Sequence, residues 1–443
     1  MTDKHIITIA ALGPDAEQML TSGALCAMRK AQTLILRTRR HAVAQLLARE
    51  GTAFETLDGL YDECEDFDEL CRRAADAILS RAREGLCYAV SDPASDATVR
   101  ELARREGVCL SVVGAASLRD GAAYAVIPFG VNTENLREIT ALSTLELRPQ
   151  ADCPQVITEI DNRCLASDVK LWLAGLFDDE TTVYFLENAA CSPACALPIP
   201  LCELDRQAHY DHRTAVLVPA VSVYERSRAT YEDFVQVVAR LRAPGGCPWD
   251  RAQTHHTLRQ FMIEEACEAA EAMDAGDEMK LADELGDVLL QVVLNSAIGA
   301  EHRAFDDRDV TSMAARKMIT RHEHVFGRAK AKSAEDVGEV WENAKRRERG
   351  EQTPLDRARE VSPLLPALMR AQKVQKRLFG DGERAAALED VGRALEGARA
   401  PGAGEEELAK LLEACAALAQ AMGLDAETAL RSRTARRLLS GGQ

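Results

Sequence analysis

The stretch LRQFMIEEACEAAEAMDAGDEMKLADELGDVLLQVVLNSAIG, residues 258–299, carries the reading of this chain. Ten acidic residues stand in it against only Arg259 and Lys280, yet apolar residues keep helical spacing through both halves. Leu258, Phe261, Met262, Ala269 and Met273 mark one helix, and Leu281, Leu285, Val288 and Val292 mark a second. Asp274, Ala275, Gly276 and Asp277 break the pattern between them with turn chemistry, which predicts an antiparallel αα-hairpin.

Glu268 lies eight residues before Gly276 and Glu284 eight after; Glu265 lies eleven before and Asp287 eleven after. In an antiparallel hairpin, equal distance from the turn means equal height, ~12 Å for the first pair and ~16 Å for the second. The i, i+3 spacing keeps each helix's two acids on one face, so the four carboxylates can converge. Like charges gathered in this way raise one another's pKa and destabilise the hairpin unless a cation holds them. Oxygen ligands without His or Cys select a hard ion, Mg²⁺ or Mn²⁺, suited to phosphate chemistry. The competing reading is a solvated outward helix face. Against it, Glu265 and Glu268 interrupt an apolar stripe in mirrored spacing.

Downstream, residues 316–349 carry ten Lys plus Arg, with Lys317 and Arg321 one helical turn apart and Lys345 one turn after Trp341. These cations could neutralise a triphosphate, and Trp341 offers a flat surface to a base, although packing serves equally well for it.

Upstream the pattern differs. The runs HIITIAAL, QTLILRT, CYAVS, VCLSVV, QVITEI, TTVYFL and TAVLVP alternate with amphipathic segments such as residues 67–83. They predict an α/β region with strands buried on both faces, splitting softly near residue 121 into two lobes. After Pro219 no β-rich run remains and Ala, Glu, Leu and Arg dominate. The chain is therefore expected to be multidomain: 1–222 (lobes of about 1–121 and 122–222), a linker at 223–230, an all-α module at 231–350, and a further helical segment at 351–443.

The formal net charge of −17 argues against coating nucleic-acid phosphates, so no direct DNA or RNA binding is expected. No run approaches ~20 apolar residues and the N-terminus lacks a secretory pattern, which gives the expectation of a cytoplasmic protein without membrane contact. The thirteen cysteines read as reduced thiols. Cys191, Cys195, Cys202, His209 and His212 are zinc-compatible types without a tight pair, and small buried or loop thiols are the preferred reading.

GCPWDRAQTHHTL at 246–258, EEACE at 264–268, ELGDVLLQVV at 284–293 and RKMITRHEHVFG at 316–327, followed by Trp341 to Lys345, resemble the MazG family of nucleoside triphosphate pyrophosphohydrolases. The resemblance implies Glu265, Glu268, Glu284 and Asp287 as magnesium ligands, and Lys317, Arg321, Trp341 and Lys345 as substrate-binding residues. Glu264 is placed to orient or deprotonate water. The implied reaction is hydrolysis of a nucleoside triphosphate to monophosphate and pyrophosphate. It also implies a homo-oligomer, a dimer above all, because two helices make too thin a layer to cover themselves. Glu323 stands where that family has proline. Residues 406–432 resemble half of a second, degenerate copy, with Lys410 in place of a ligand Asp.

The N-terminal region resembles the tetrapyrrole methylases through ITIAALGPD at 6–15, LRTRRHAV at 36–43, YAVSDPA at 88–94, VGAASL at 113–118, VKLWL at 169–173 and CELDR at 202–206. That family uses glycine-rich loops to admit S-adenosylmethionine. Only Gly13 remains of its first loop, Ala11 and Asp15 replace glycines, and Ser91 and Asp92 replace a Pro-Gly pair. Methyl transfer is therefore doubtful. An S-adenosylmethionine-dependent methyltransferase, or a sensor whose N-terminal ligand controls the helical domain, are the alternatives to the hydrolase.

Overall fold

The computed structural model describes residues 5–14, 17–64, 66–82, 85–190, 195–349 and 352–439. It forms two compact units, Met1–Gln253 and Thr254–Gln443.

The first unit holds two five-stranded sheets. Strands β1 (His5–Ala11), β2 (Thr33–Leu36), β3 (Glu55–Thr56), β4 (Leu86–Val90) and β5 (Val108–Val113) run parallel in the order β3-β2-β4-β1-β5. Helices α1 (Ser22–Lys30), α2 (Ala42–Arg49), α3 (Asp58–Glu63), α4 (Phe67–Ser80) and α5 (Ala97–Arg104) connect them. Alternation along the strands explains the near-continuous apolar runs. Ile7, Ile9, Ile35, Leu86, Tyr88 and Val90 enter one core, while Ala10, Leu34, Leu36, Cys87 and Ala89 enter another on the opposite face.

The second sheet, β6-β7-β10-β8-β9, is mixed. Strand β6 (Arg137–Thr140) is parallel to β7 (Gln155–Thr158), and β10 (Ala215–Val218), β8 (Thr182–Leu186) and β9 (Leu197–Pro200) follow antiparallel. Here too two cores form: Ile157, Phe185 and Val216 on one face, Val156, Leu186 and Leu217 on the other. Helix α6 (Leu118–Ala125) gives Ala122 and Ala125 to the latter core, and α7 (Arg163–Ala174) gives Val169 and Leu173 to the former.

All seven strand-like runs form strands; β3, β6 and β9 were additional. The polar run 223–230 is anchored. The guanidinium of Arg226, 1 % exposed, lies 2.5 Å from the Asp233 carboxylate, and the Ser227 amide donates to Asp178 at 3.0 Å. Thr230 and Asp233 form a capping box opening α8 (Tyr231–Arg242), which with α9 (Pro248–Ala252) completes the first unit.

The second unit is all-helical: α10 (Arg259–Ala275), α11 (Glu278–Glu301), α12 (Asp307–Arg321), α13 (Glu323–Phe326), α14 (Ala334–Arg349), α15 (Pro354–Arg359), α16 (Ala367–Phe379), α17 (Arg384–Arg399), α18 (Glu405–Ala421) and α19 (Ala426–Leu439). No helix among the described residues is long and apolar enough to cross a membrane.

Candidate metal and phosphate site

The hairpin turns within two residues. Gly276 ends α10 in the left-handed region (φ 68°, ψ 24°), a conformation that favours glycine, and Asp277 caps α11 by accepting from the Lys280 amide at 3.0 Å. This short turn sets the two helices in the register that the mirrored spacing requires.

One carboxylate oxygen each from Glu265, Glu268 and Glu284 lies within 4.8 Å of the others, the one such group of potential metal ligands among the described residues. Loss of surrounding water pushes the Glu265 carboxyl up, and the charges of Asp287, Glu268, Glu264 and Glu284 add to it. Glu284 is raised by desolvation and by Glu268, with Lys280 opposing. Asp287 stands outside the tightest three but close enough to act on Glu265; Glu264 is exposed beside the set. An oxygen-only, mutually repelling donor set fits a hard divalent cation.

The predicted phosphate-handling residues form a second cluster. The Arg321 guanidinium lies 5.2 Å from the Trp341 ring centroid and the Lys345 ammonium 5.5 Å, while His322 meets the ring edge-on at 5.1 Å. Arg321 donates to Glu348 at 2.7 Å and Lys345 to Glu342 at 2.9 Å, and Lys317 acts electrostatically on Glu348. Sequence spacing did not reveal this stacking. Glu323, at the departure from proline, accepts from Arg347 at 2.9 and 3.2 Å and ties α13 to α14.

In the C-terminal helices the acids and the lysine of residues 406–410 pair locally. Glu407 accepts from the Gly404 amide at 3.0 Å as part of a helix cap, and Lys410 pairs with Glu406 at 3.3 Å.

In the first unit Gly13 has φ 75°, and a Cβ there would stand 3.0 Å from the Ala116 carbonyl oxygen, so glycine is required. Asp92 closes its own turn, accepting from Ala94 and Ser95 amides at 3.0 and 3.2 Å. Asp15 and Cys191 lie outside the described residues; Cys195 is exposed and Cys202 half-buried.

The sequence pattern of the MazG nucleotide pyrophosphohydrolase domain matches residues 253–326. The uncharacterized protein YabN of Bacillus subtilis is 33 % identical over 380 residues, covering 84 % of this chain and 76 % of that one. The nucleoside triphosphate pyrophosphohydrolase/pyrophosphatase MazG of Thermotoga maritima is 37 % identical over 211 residues, 46 % of this chain and 81 % of that one. Among solved structures, the uroporphyrin-III-C-methyltransferase from Thermus thermophilus aligns with TM-score 0.36 and 17 % identity, over 51 % of this chain and 97 % of that one. With the hairpin geometry and the length of the two sequence relatives' matches together, the chain belongs to the MazG nucleotide pyrophosphohydrolase family, as a hydrolase whose MazG module follows an N-terminal α/β domain.

Proposed function

We propose that the helical module hydrolyses nucleoside triphosphates to nucleoside monophosphate and pyrophosphate, with Glu265, Glu268, Glu284 and Asp287 holding Mg²⁺, or Mn²⁺ in its place. The observation that carries this reading is the approach of three carboxylates to within 4.8 Å, a concentration of charge that a cation relieves. When bound, such a cation supplies Lewis-acid polarisation of phosphoryl oxygens.

Glu264 orients the attacking water and accepts its proton. The water oxygen bonds to the α-phosphorus as the bond from that phosphorus to the α–β bridging oxygen breaks, and the bridging oxygen leaves with pyrophosphate. Lys317, Arg321 and Lys345 take up the charge of the leaving group, Arg321 and Lys345 exchanging Glu348 and Glu342 for phosphate oxygens. Trp341 holds the two cations apart and aimed. Incubation of the full chain with ATP, GTP, CTP and UTP plus Mg²⁺ should release pyrophosphate; release of orthophosphate alone rejects the reading.

A second copy of the chain is proposed to cover the helical module, because Ile263 (48 % exposed), Leu285 (46 %), Met313 (59 %) and Ile319 (51 %) stand in water on a thin layer. A monomeric mass by light scattering at micromolar concentration rejects this. The N-terminal domain is proposed not to methylate, since Ser91 and the self-capped Asp92 occupy positions where glycine-type backbone freedom admits the cofactor.

A further inference from the structure

The hairpin face continues beyond the carboxylates, and its chemistry changes in order. Fifteen residues before Gly276 stands Phe261, and fifteen after it stands Gln291; eighteen before and after stand Leu258 and Leu294. Gln291 follows Glu284 and Asp287 by seven and four residues, which keeps it on their face, about 6 Å further from the turn than Asp287. Leu258 and Leu294 are each 1 % exposed and continue the face as buried apolar residues.

Gln291 is out of place by the usual rule. Its residue is 5 % exposed in the middle of an apolar run, and its Oε1 is buried without a hydrogen-bond partner. Leaving such an acceptor unpaired is costly, and an apolar side chain would avoid this. The neighbouring turn does not use it: Asn295 donates through its Nδ2 to the Gln291 backbone carbonyl at 2.8 Å, and its Oδ1 accepts from His255 Nδ1 at 2.7 Å.

We infer that Gln291 and Phe261 form the nucleobase end of the site, with the Gln291 amide bonding the edge of the base and the half-buried Phe261 ring lying against its face. This inference rests on the triphosphate reading above. Anionic ligands at one end, an amide opposite an aromatic ring in the middle and two leucines beyond correspond in order to phosphate, base edge and base face. Gln291 is thereby a specificity-determining residue, and the bases it favours are those with an amine or an imino hydrogen on the edge it meets.

The test compares wild type, Gln291→Met, which keeps shape without the amide, and Phe261→Leu. Substrates are ATP, GTP, CTP, UTP and ribose 5-triphosphate, which lacks a base. In Gln291→Met, KM for at least one base-carrying substrate should rise about tenfold while ribose 5-triphosphate is unchanged, so that discrimination among bases flattens. Calorimetric titration of the four nucleoside monophosphates in chelator should lose the same preference. Equal losses on all five substrates, or unchanged discrimination in both variants, overturn the inference. If Gln291→Met does not fold, Gln291→Asn, one methylene shorter, carries the same comparison. Absence of hydrolysis of every triphosphate by wild type would instead fell the triphosphate reading itself.

Discussion

The guanidinium of Arg321 sits 5.2 Å from the ring centroid of Trp341, while its Nη2 donates to Glu348 at 2.7 Å. The ring therefore flanks the cation on one side, and the carboxylate neutralises it on another. Removing the ring should free Arg321 without removing its charge. Trp341→Ala is expected to raise KM for a triphosphate two- to fivefold, corresponding to about 0.5–1 kcal/mol, with kcat less affected; Trp341→Phe should recover most of the loss. Steady-state kinetics on the two variants decides it, and a wild-type KM in Trp341→Ala would show the stacking to be packing alone.

Glu268→Gln and Asp287→Asn should each abolish most hydrolysis, as should chelation of divalent cations in the wild type. Each substitution removes an anionic oxygen from a repelling set, so melting temperature in chelator should stay level or rise. The upward shift of melting temperature on adding Mg²⁺ should shrink in both variants. Full activity in chelator is the contrary result.

Asp233 and Arg226 form a pair largely removed from water. Burial works to raise the Asp233 pKa, but hydrogen bonds from Arg226 and Thr230 outweigh it and hold the carboxyl below its ordinary value. A depressed folded-state value stabilises the fold above the ordinary pKa of about 3.9, and that contribution disappears as pH falls through the lower value. Asp233→Asn should therefore cost about 3 kcal/mol at pH 7, because Arg226 is left buried and uncompensated. The gap from wild type should narrow in denaturant titrations carried towards pH 2.

Cys87, which β4 turns into the core, has its thiol pushed up to about 12 by burial, and Cys71 is raised for the same first reason. Neither should react with a thiol reagent at pH 8 in the folded chain, whereas Cys26, Cys109, Cys164, Cys267 and Cys415 are exposed and should. Peptide mass mapping after brief alkylation reads this directly; labelling of Cys87 at the rate of Cys415 would contradict the packing.

The strands buried on both faces were legible because a core on each side demands Val, Ile, Leu and Ala at successive positions, as in TLIL and AVLV. Three of the four edge strands were not. REIT carries two charges, LPIP two prolines, and the third is two residues long, so none has the apolar signal of an interior strand. The acids of the hairpin were legible through their spacing, since helix geometry converts sequence distance directly into height. The anchoring of residues 223–230 was not, because a buried arginine looks like a solvated one until Asp233 is brought beside it. Gln291 left a trace in the sequence, a lone amide within VLLQVVL, that apolar periodicity alone passes over.

The two-residue turn at Gly276 and Asp277 makes the facing of the carboxylates intolerant of length change. One residue inserted there displaces every later position of α11 by about 1.5 Å and rotates it by about 100°, which carries Glu284 and Asp287 off the face of Glu265 and Glu268. Helices and hydrophobic burial could survive such an insertion by slipping, so a chain with Ala added after Gly276 should remain helical by circular dichroism yet lose cation-dependent hydrolysis. The connection between α17 and α18 is longer, five residues at 400–404, and there Glu407 caps its own helix.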